Sequence, residues 1–295
     1  MTVFEELQHA VTTVADGLDA ATVAVGRDRR GSGLVIAAGH VLTCAHNLRD
    51  RTTEVTFADG RRAQASIVGV DADGDLAVLA VDTAEASAAT WAPGADAIGA
   101  GQAVFGVARA EGLRVTFGLV SGTGRMFRGP RGRRIAGSIE HTAPLARGAT
   151  GGPLADAEGR VVGINTLRLG DRFALAQPAG EAFQALVGRL AAGESPTRRR
   201  LGVALAPAHV ARRLRRSVGL PERDGLLVRG VEDGSPAQAA GIEPGDLLVA
   251  AAGRELTSAD ELFAALEAAG TTLRLTVVRG NDQREVDVGF DAAAG

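Results

Sequence analysis

The chain has 295 residues, enough for about two domains. Hydrophobic residues make up 45% of it, so each domain can bury a core, and a formal net charge of -3 argues against a protein built mainly to hold nucleic acid. A single cysteine, Cys44, excludes an intrachain disulfide and fits a reducing compartment. Residues 1–6 lack the features of a signal peptide, and no stretch approaches the roughly 18–20 apolar residues of a membrane span. We therefore expect a soluble cytoplasmic protein without membrane partners.

The first predicted element is a short amphipathic helix within an N-terminal segment, residues 1–20, because apolar side chains recur there at helical spacing. From about 21 to 178 the pattern changes to short apolar runs broken by Gly, Asp and Arg. These runs lie at 21–26, 33–37, 54–57, 66–70, 76–81, 103–107, 115–120 and 160–165. Many short strands with glycine-rich turns are typical of an all-β barrel or sandwich.

A domain boundary is predicted near residue 194. Apolar side chains share one face of a predicted helix over 180–190, and the Gly-Glu-Ser-Pro stretch at 193–196 ends it. We place the first domain at 21–193, a linker at 194–200 and a second domain at 201–291.

The second domain has an α+β pattern. Strands are predicted at 201–205, 225–231, 247–251, 272–279 and 284–288. Ser258 and Glu261 form a capping box that opens a helix, whose Leu262, Phe263 and Leu266 can face a sheet or a groove.

Three motifs of the first domain follow one another in the order His, Asp, nucleophile. They are G-S-G-L-V-I with V-L-T-C-A-H, ending at His46; D-G-D-L-A-V-L, containing Asp75; and R-G-A-T-G-G-P-L, containing Thr150 and followed by G-R-V-V-G-I-N. Over about residues 25–180 this series resembles the chymotrypsin superfamily, most closely its HtrA (Deg) branch. The resemblance implies a mainly β fold with a chymotrypsin-like double β-barrel.

The resemblance implies a role for each motif residue. His46 is expected to be the general base and Asp75 its orienting carboxylate, because a carboxylate on the second ring nitrogen fixes the tautomer and stabilises the imidazolium. Asp71 and Asp73 are alternatives that could be solvated, and the apolar run after Asp75 favours Asp75. The other histidines are expected at the surface or in packing.

The same resemblance gives the rest of the site. The N–H groups of Gly148 and Thr150 would form the oxyanion hole. The S1 pocket would be lined near Pro144 and by the strand carrying Ile164 and Thr166. No acidic residue stands where trypsins have their specificity carboxylate, so a small or medium apolar P1 side chain is expected. No metal and no cofactor is implied.

Threonine occupies the position of the nucleophile, where the family has serine. Its extra methyl group restricts χ1 in a crowded corner. An internal threonine also lacks the free α-amino group that usually serves threonine nucleophiles as base. Three interpretations stay open: a natural protease that works slowly with Thr150, a pseudoprotease retained for binding, or an engineered inactivation of a serine enzyme.

The second domain resembles the bacterial PDZ domain that follows HtrA proteases. The residues are G-S-P-A-Q-A-A-G-I at 234–242 and P-G-D-L-L at 244–248. The resemblance places a peptide carboxylate at the loop Arg200, Leu201, Gly202 and Val203, with Leu262 and Leu266 on the other wall. Alternatively, Leu201 and Val203 belong only to the core.

Together these features predict an HtrA-type endopeptidase that cleaves unfolded or exposed peptide segments and binds C-termini at its PDZ domain. The alternative is a catalytically inactive, chaperone-like peptide-binding protein. Family members often form trimers, although the N-terminal segment here is short.

The arginine-rich run at 198–200 with four more arginines at 212–216 indicates a solvated linker and helix face rather than a nucleic-acid site, since no aromatic residues alternate with them.

Overall fold

The structure, a computed structural model, describes residues 2–28, 30–50, 52–129, 132, 134–196 and 199–290. It divides into two compact units between Pro196 and Thr197, inside the segment predicted as the linker. Arg198 of the arginine run and residue 291, the predicted end of the second domain, lie outside the described residues. None of the described helices combines the length and apolarity needed to cross a bilayer.

The first unit begins with helix α1 (Val3–Leu18). Thr2 caps it: the Thr2 hydroxyl accepts from the N–H of Glu5, and the Glu5 carboxylate accepts from the N–H of Thr2. Val14 and Leu18 are buried on one face of the helix and pack into the main hydrophobic core of the unit. The apolar face of the helix thus anchors the N-terminal segment on the core.

Six antiparallel strands form the first barrel. They are β1 (Thr22–Val25), β2 (Gly31–Ala37), β3 (His40–Thr43), β4 (Thr52–Thr56), β5 (Arg62–Asp71) and β6 (Leu76–Ala80). The sheet closes in the order β1-β2-β3-β6-β5-β4. β-Branched and aromatic side chains such as Val23, Val55 and Phe57 fill it, as expected for strands that face a packed interior.

Six further strands form the second barrel. They are β7 (Ala103–Arg109), β8 (Leu113–Arg128), β9 (Arg134–His141), β10 (Pro153–Ala155), β11 (Val161–Leu169) and β12 (Phe173–Pro178), closed in the order β10-β11-β12-β9-β8-β7. Helix α2 (Glu181–Ala191) follows and buries Phe183, Val187 and Leu190. The main core joins Leu34 and Leu42 of the first barrel to Phe105 of the second. The predicted chymotrypsin-like double barrel is confirmed.

The second unit is an antiparallel sheet with helices. Its elements are β13 (Val203–Ala206), α3 (Ala208–Ser217), β14 (Leu226–Val231), α4 (Pro236–Ala239), β15 (Leu247–Ala251), β16 (Arg254–Glu255), α5 (Ala259–Ala268), β17 (Thr272–Arg279) and β18 (Asp282–Gly289). The strand order is β13-β14-β15-β17-β18, with β16 beside β15, so β13 is an edge strand. The predicted capping box of Ser258 and Glu261 opens α5.

A buried carboxylate joins two strands of the second unit. Asp246, 1% exposed, precedes β15 and accepts hydrogen bonds from Nε and Nη2 of Arg279 at 2.7 and 2.9 Å, and from the N–H of Glu243 at 3.0 Å. Burial by itself would raise the pKa of Asp246, but these donors outweigh it and lower the pKa below its ordinary 3.8. The charged form therefore stabilises the fold.

We predict that Asp246→Asn lowers the stability of the second unit by about 2 kcal/mol, because it removes charge-assisted hydrogen bonds. A carboxyl group with a lowered pKa stabilises the fold above its ordinary value of 3.8 and loses this effect as the pH falls through the folded-state pKa. The difference between parent and variant should therefore shrink in acid. Hydrogen exchange of the β15 amides in the full chain measures this difference in stability. Asp287→Asn, in the exposed pair with Arg274, is the control with little expected effect; an equal effect of both variants would contradict the prediction.

Candidate active site

The local fold brings His46 against Asp75. Strand β3 ends at Thr43, and a single 3-10 turn (Ala45–Asn47) carries the imidazole. Asp75 Oδ1 accepts the backbone N–H of His46 at 3.0 Å, and Asp75 Oδ2 lies 2.7 Å from His46 Nδ1. Asp75 is 3% exposed and His46 34%, so the carboxylate is buried while the ring reaches solvent. One carboxylate thus fixes both the backbone and the ring of His46.

Asp71 and Asp73, the alternative candidates for the orienting carboxylate, are both buried. Asp71, at the end of β5, is buried and accepts the N–H of Gly74 at 2.9 Å, which closes the turn before Asp75. Asp73 is buried as well, so neither is solvated in the way that the sequence interpretation allowed. The carboxylate at His46 Nδ1 is Asp75, whose φ of 59° is unusual for a residue with a side chain.

Thr150 lies on the opposite side of the imidazole. Its Oγ1 is 3.0 Å from His46 Nε2. Its carbonyl oxygen accepts the N–H of Ser32 at 2.9 Å, which ties the turn of the second barrel to β2 of the first. Gly151 follows at φ +87°, where an added Cβ would lie 2.2 Å from the Ser32 carbonyl oxygen. Glycine is therefore required beside Thr150 for this close approach.

Two backbone N–H groups at the turn of Thr150 are available as donors. Among the described residues, the N–H of Gly148 and that of Thr150 have no hydrogen-bond partner. The intervening peptide is held on both sides, because the Gly148 carbonyl accepts the Ser32 hydroxyl at 2.8 Å and the Ala149 N–H donates to the Ala146 carbonyl at 3.2 Å. Unpartnered, fixed donors of this kind suit a developing oxyanion.

Asn47 is a site residue that the sequence interpretation did not include. Its side-chain nitrogen donates to the carbonyl oxygen of Thr150 at 2.9 Å, and its Oδ1 accepts the Thr150 hydroxyl at 3.1 Å. The only available signal is its position directly after His46. A polar residue beside a catalytic candidate reads the same whether it is buried or exposed, so the pattern alone could not assign it.

The structure corrects part of the predicted S1 pocket. Ile164 is fully buried in the main core, because the alternation of β11 turns its side chain inward and gives the opposite face to Asn165. The prediction that Ile164 lines a pocket is therefore wrong. Thr166 is buried too, with its hydroxyl donating to the Leu175 carbonyl at 3.3 Å, whereas Pro144 is exposed. Only Pro144 stays a candidate for the surface that meets a substrate side chain.

A buried histidine, His141, is linked through Asn165 to the glycine-rich turn around Thr150. His141 Nε2 lies 3.0 Å from Asn165 Oδ1, and the Asn165 carbonyl accepts the N–H of Gly151 at 2.7 Å and the thiol of Cys44 at 3.5 Å. Burial lowers the pKa of His141 from 6.5 to about 4, and the Asn165 contact offsets this only partly. His141 is therefore neutral at pH 7.

One group among the described residues could geometrically hold a metal ion: ligand atoms of Cys44, His46 and Asp75 lie within 4.8 Å of one another. Burial and the nearby carboxylate of Asp75 raise the pKa of the Cys44 thiol, which disfavours the thiolate that metals bind. The Nδ1 of His46 and the Asp75 carboxylate are already bonded to each other. This arrangement suits proton transfer better than metal binding.

The predicted peptide groove of the second unit needs a correction. Leu201, Leu262 and Leu266 are buried together in its hydrophobic core, which agrees with the core interpretation of Leu201, while Val203 packs at the edge of that core and is partly exposed. These leucines are therefore not an open groove surface; Leu262 and Leu266 lie four residues apart in α5, on the face that turns toward the core.

The loop before β13, predicted as the carboxylate site, contains a glycine in the left-handed region. Gly202 has φ +76°, and a Cβ there would lie 2.3 Å from that of Ser235. In the described part of the chain, the N–H groups of Leu201 and Gly202 have no partner, and Arg200 pairs with Glu232 at 3.2 Å.

Comparison with known proteins agrees with both units. Residues 31–164 match the family described as the trypsin-like peptidase domain, and residues 227–279 match the PDZ domain. The chain is therefore a trypsin-like peptidase domain followed by a PDZ domain.

Relatives narrow the assignment. A periplasmic serine endoprotease described as DegP-like, from Brucella suis, is 33% identical over 274 residues, which is 88% of this chain and 52% of the relative. The serine protease HhoA of Synechocystis is 33% identical over 284 residues, covering 89% of this chain and 71% of the relative. The chain belongs to the HtrA (Deg) family. It spans about half the length of the Brucella relative.

Solved structures share the fold. The HtrA-type protease AlgW with a decapeptide superposes with a TM-score of 0.65 at 23% identity, covering 95% of this chain and 97% of that one. A serine endoprotease from Yersinia pestis gives 0.62 at 24% identity, covering 95% and 96%. The Brucella relative is named periplasmic, and the cytoplasmic location expected for this chain stays a prediction.

We predict that His141→Gln flattens the pH dependence of stability in acid. Between pH 6.5 and about 4 the unfolded chain binds a proton at His141 that the folded chain does not, so the free energy of unfolding falls by about 3 kcal/mol as the pH falls through this window. Glutamine can still donate to Asn165 but cannot titrate. Urea unfolding of both proteins from pH 7.5 to 4.5 measures the difference, in which all other titrating groups cancel. Equal slopes would contradict the prediction.

Proposed function

We propose that this chain is an HtrA-type endopeptidase that cleaves unfolded or exposed peptide segments through an acyl-enzyme on Thr150. One observation carries the proposal: His46 lies between the Asp75 carboxylate at Nδ1, 2.7 Å, and the Thr150 hydroxyl at Nε2, 3.0 Å. Membership of a family whose named relatives are serine proteases supports it. The methyl group of threonine has not displaced the hydroxyl from the imidazole.

The reaction would follow from this geometry. Asp75 fixes the neutral imidazole with its proton on Nδ1, so that Nε2 accepts the hydroxyl proton as Thr150 Oγ1 attacks the peptide carbonyl carbon. The carbonyl oxygen becomes an oxyanion that the N–H groups of Gly148 and Thr150 would bind. His46 then gives its proton to the leaving amine, which breaks the C–N bond and leaves an ester on Thr150.

The second half of the reaction reuses His46. Water enters in place of the amine, and His46 Nε2 takes one of its protons as the water oxygen attacks the ester carbonyl. The tetrahedral intermediate again places its oxyanion at the two N–H groups. Collapse returns the proton to Thr150 Oγ1, releases the carboxylic acid and restores the resting site. No metal or cofactor takes part in either half.

A second candidate function is peptide binding without turnover. The hydroxyl of Thr150 has a single proton, and Asn47 Oδ1 accepts it at 3.1 Å in competition with His46 Nε2. If that proton stayed on the Asn47 side, the cleft would hold a peptide without attacking it. The two functions differ in one measurable property, which is the formation of cleavage products.

The PDZ unit would hold the C-terminus of a peptide. Strand β13 is an edge strand to which an extended peptide can be added, and the unpartnered N–H groups of Leu201 and Gly202 suit a terminal carboxylate. The solved relative AlgW is described with a bound decapeptide, which supports a peptide partner here. Trimer formation stays a family-based prediction.

We predict that the protein cleaves unfolded casein more slowly than its Thr150→Ser variant, by up to about 100-fold, because the branched side chain constrains the attacking oxygen. Thr150→Ala should give no cleavage, since it removes the nucleophile. Fragment release measured on the full chain compares the three proteins. Activity equal to that of the Ala variant, with cleavage restored by Ser, would favour the binding function instead. If the Ser variant is also inactive, His46 and Asp75 are not a working pair.

For the PDZ unit, a peptide with an apolar C-terminal residue and a free carboxylate should bind the full chain about tenfold more tightly than its amidated twin, since charged hydrogen bonds to the loop N–H groups are lost with the amide. Gly202→Ala should abolish this difference, because the added Cβ meets that of Ser235. Calorimetric titration gives both affinities. Equal binding of the two peptides to the unmodified protein would exclude this loop as the carboxylate site.

A further inference from the structure

Asn47 occupies a closed polar space beside the nucleophile. It is 4% exposed, at the end of the 3-10 turn that carries His46. The chain makes room for it at Gly31, where an added Cβ would lie 2.1 Å from the Asn47 side-chain nitrogen. A buried amide of this kind is stable only when its donors and acceptor are satisfied.

The hydrogen bonds of Asn47 fix the orientation of its amide. Nδ2 donates to the Thr150 carbonyl at 2.9 Å and to Thr43 Oγ1 at 3.1 Å. The Thr43 hydroxyl uses its own proton on the Ser32 carbonyl at 2.7 Å, so it can only accept from Asn47. Because both of these oxygens accept a hydrogen bond, the amide nitrogen of Asn47 must face them. Oδ1 therefore faces the remaining neighbour, the hydroxyl of Thr150.

This orientation selects one rotamer of Thr150. The Cβ of threonine carries a hydroxyl and a methyl group of similar size, and a 120° rotation about χ1 exchanges positions among its substituents. Only the rotamer that places Oγ1 between His46 Nε2, 3.0 Å, and Asn47 Oδ1, 3.1 Å, keeps the hydroxyl proton within reach of both acceptors. Any other rotamer leaves the buried Oδ1 without a donor.

We infer that Asn47 is a positioning residue that holds the Thr150 hydroxyl in its reactive rotamer, and this inference rests on the proposed role of Thr150 as nucleophile. Asn47 forms two hydrogen bonds with Thr150, one at the carbonyl oxygen and one at the hydroxyl. The carbonyl contact persists while the hydroxyl proton passes to His46, so the backbone of the nucleophile stays in place during attack. Asn47 acts through Thr150, so its loss lowers kcat and leaves KM nearly unchanged.

The kinetic test is a cycle of four full-length proteins: the parent, Asn47→Ala, Thr150→Ser and the double variant, assayed on unfolded casein. Asn47→Ala should lower kcat about 10- to 100-fold in the threonine background, as expected for a misplaced reacting atom. In the serine background the loss should stay below about fivefold, because serine has no methyl to take the place of the hydroxyl. KM should change by less than about threefold in each background, because misplacing the reacting atom alone does not remove substrate binding.

A control variant deletes another buried polar side-chain group. Ser138→Ala removes a hydroxyl of β9 that is buried and has no partner in the described part of the structure. This variant should keep the parent kcat. Equal kcat losses from Asn47→Ala in the threonine and serine backgrounds would reduce Asn47 to a general structural role, and a rise in kcat would make it a brake on the nucleophile; each result overturns the inference.

A spectroscopic measurement tests the rotamer without needing turnover. Three-bond couplings to the 13C-labelled methyl of Thr150 report χ1 directly in the full chain. The parent should show a single rotamer, and Asn47→Ala should show averaging over at least two. An unchanged single rotamer in Asn47→Ala would overturn the inference. If the parent and the serine variant both fail to cleave casein, the proposed function is wrong, whereas the couplings still decide whether Asn47 sets the rotamer.

Discussion

The site depends on the hydrogen bonds that join the turn around Thr150 to the first barrel. The Thr150 carbonyl accepts from the N–H of Ser32 and from the side chain of Asn47, and the Ser32 hydroxyl holds the Gly148 carbonyl two residues earlier. His46 belongs to the first barrel and Thr150 to the second, so the 3.0 Å distance between His46 Nε2 and Thr150 Oγ1 depends on these cross-barrel bonds. The shared apolar core, which contains residues of both barrels, supplies the rigidity that holds the bonds at this length.

The sequence allowed the prediction of those features that short motifs carry. His46, Asp75 and Thr150 could be singled out because their short motifs, taken together and in order, resemble those of the HtrA branch, and the resemblance implies a role for each residue. The capping box of Ser258 was predictable from local chemistry, since two side chains three residues apart satisfy the first N–H groups of a helix.

Features set by long-range packing were not predictable. Strand β9 has neither a continuous apolar run nor a regular alternation of exposed and buried residues, and β10 has three residues, so neither gives a clear strand pattern. Ile164 was assigned to a pocket because the sequence does not tell which face of β11 meets the core. Asn47 and Asn165 acquire their roles only from residues distant in the sequence. Asn47 contacts Thr150, 103 residues away, and Asn165 contacts His141, 24 residues away. Such contacts need the closed barrels.

The central claim is that the hydroxyl of Thr150, activated by His46, is the nucleophile. The most direct measurement is the mass of the intact protein and its peptides after brief exposure to a fluorophosphonate, which phosphonylates an activated hydroxyl with loss of fluoride. Our account predicts one adduct, located on Thr150 and absent from a His46→Ala variant. An adduct elsewhere, no adduct at all, or labelling of Thr150 that persists without His46 would contradict it.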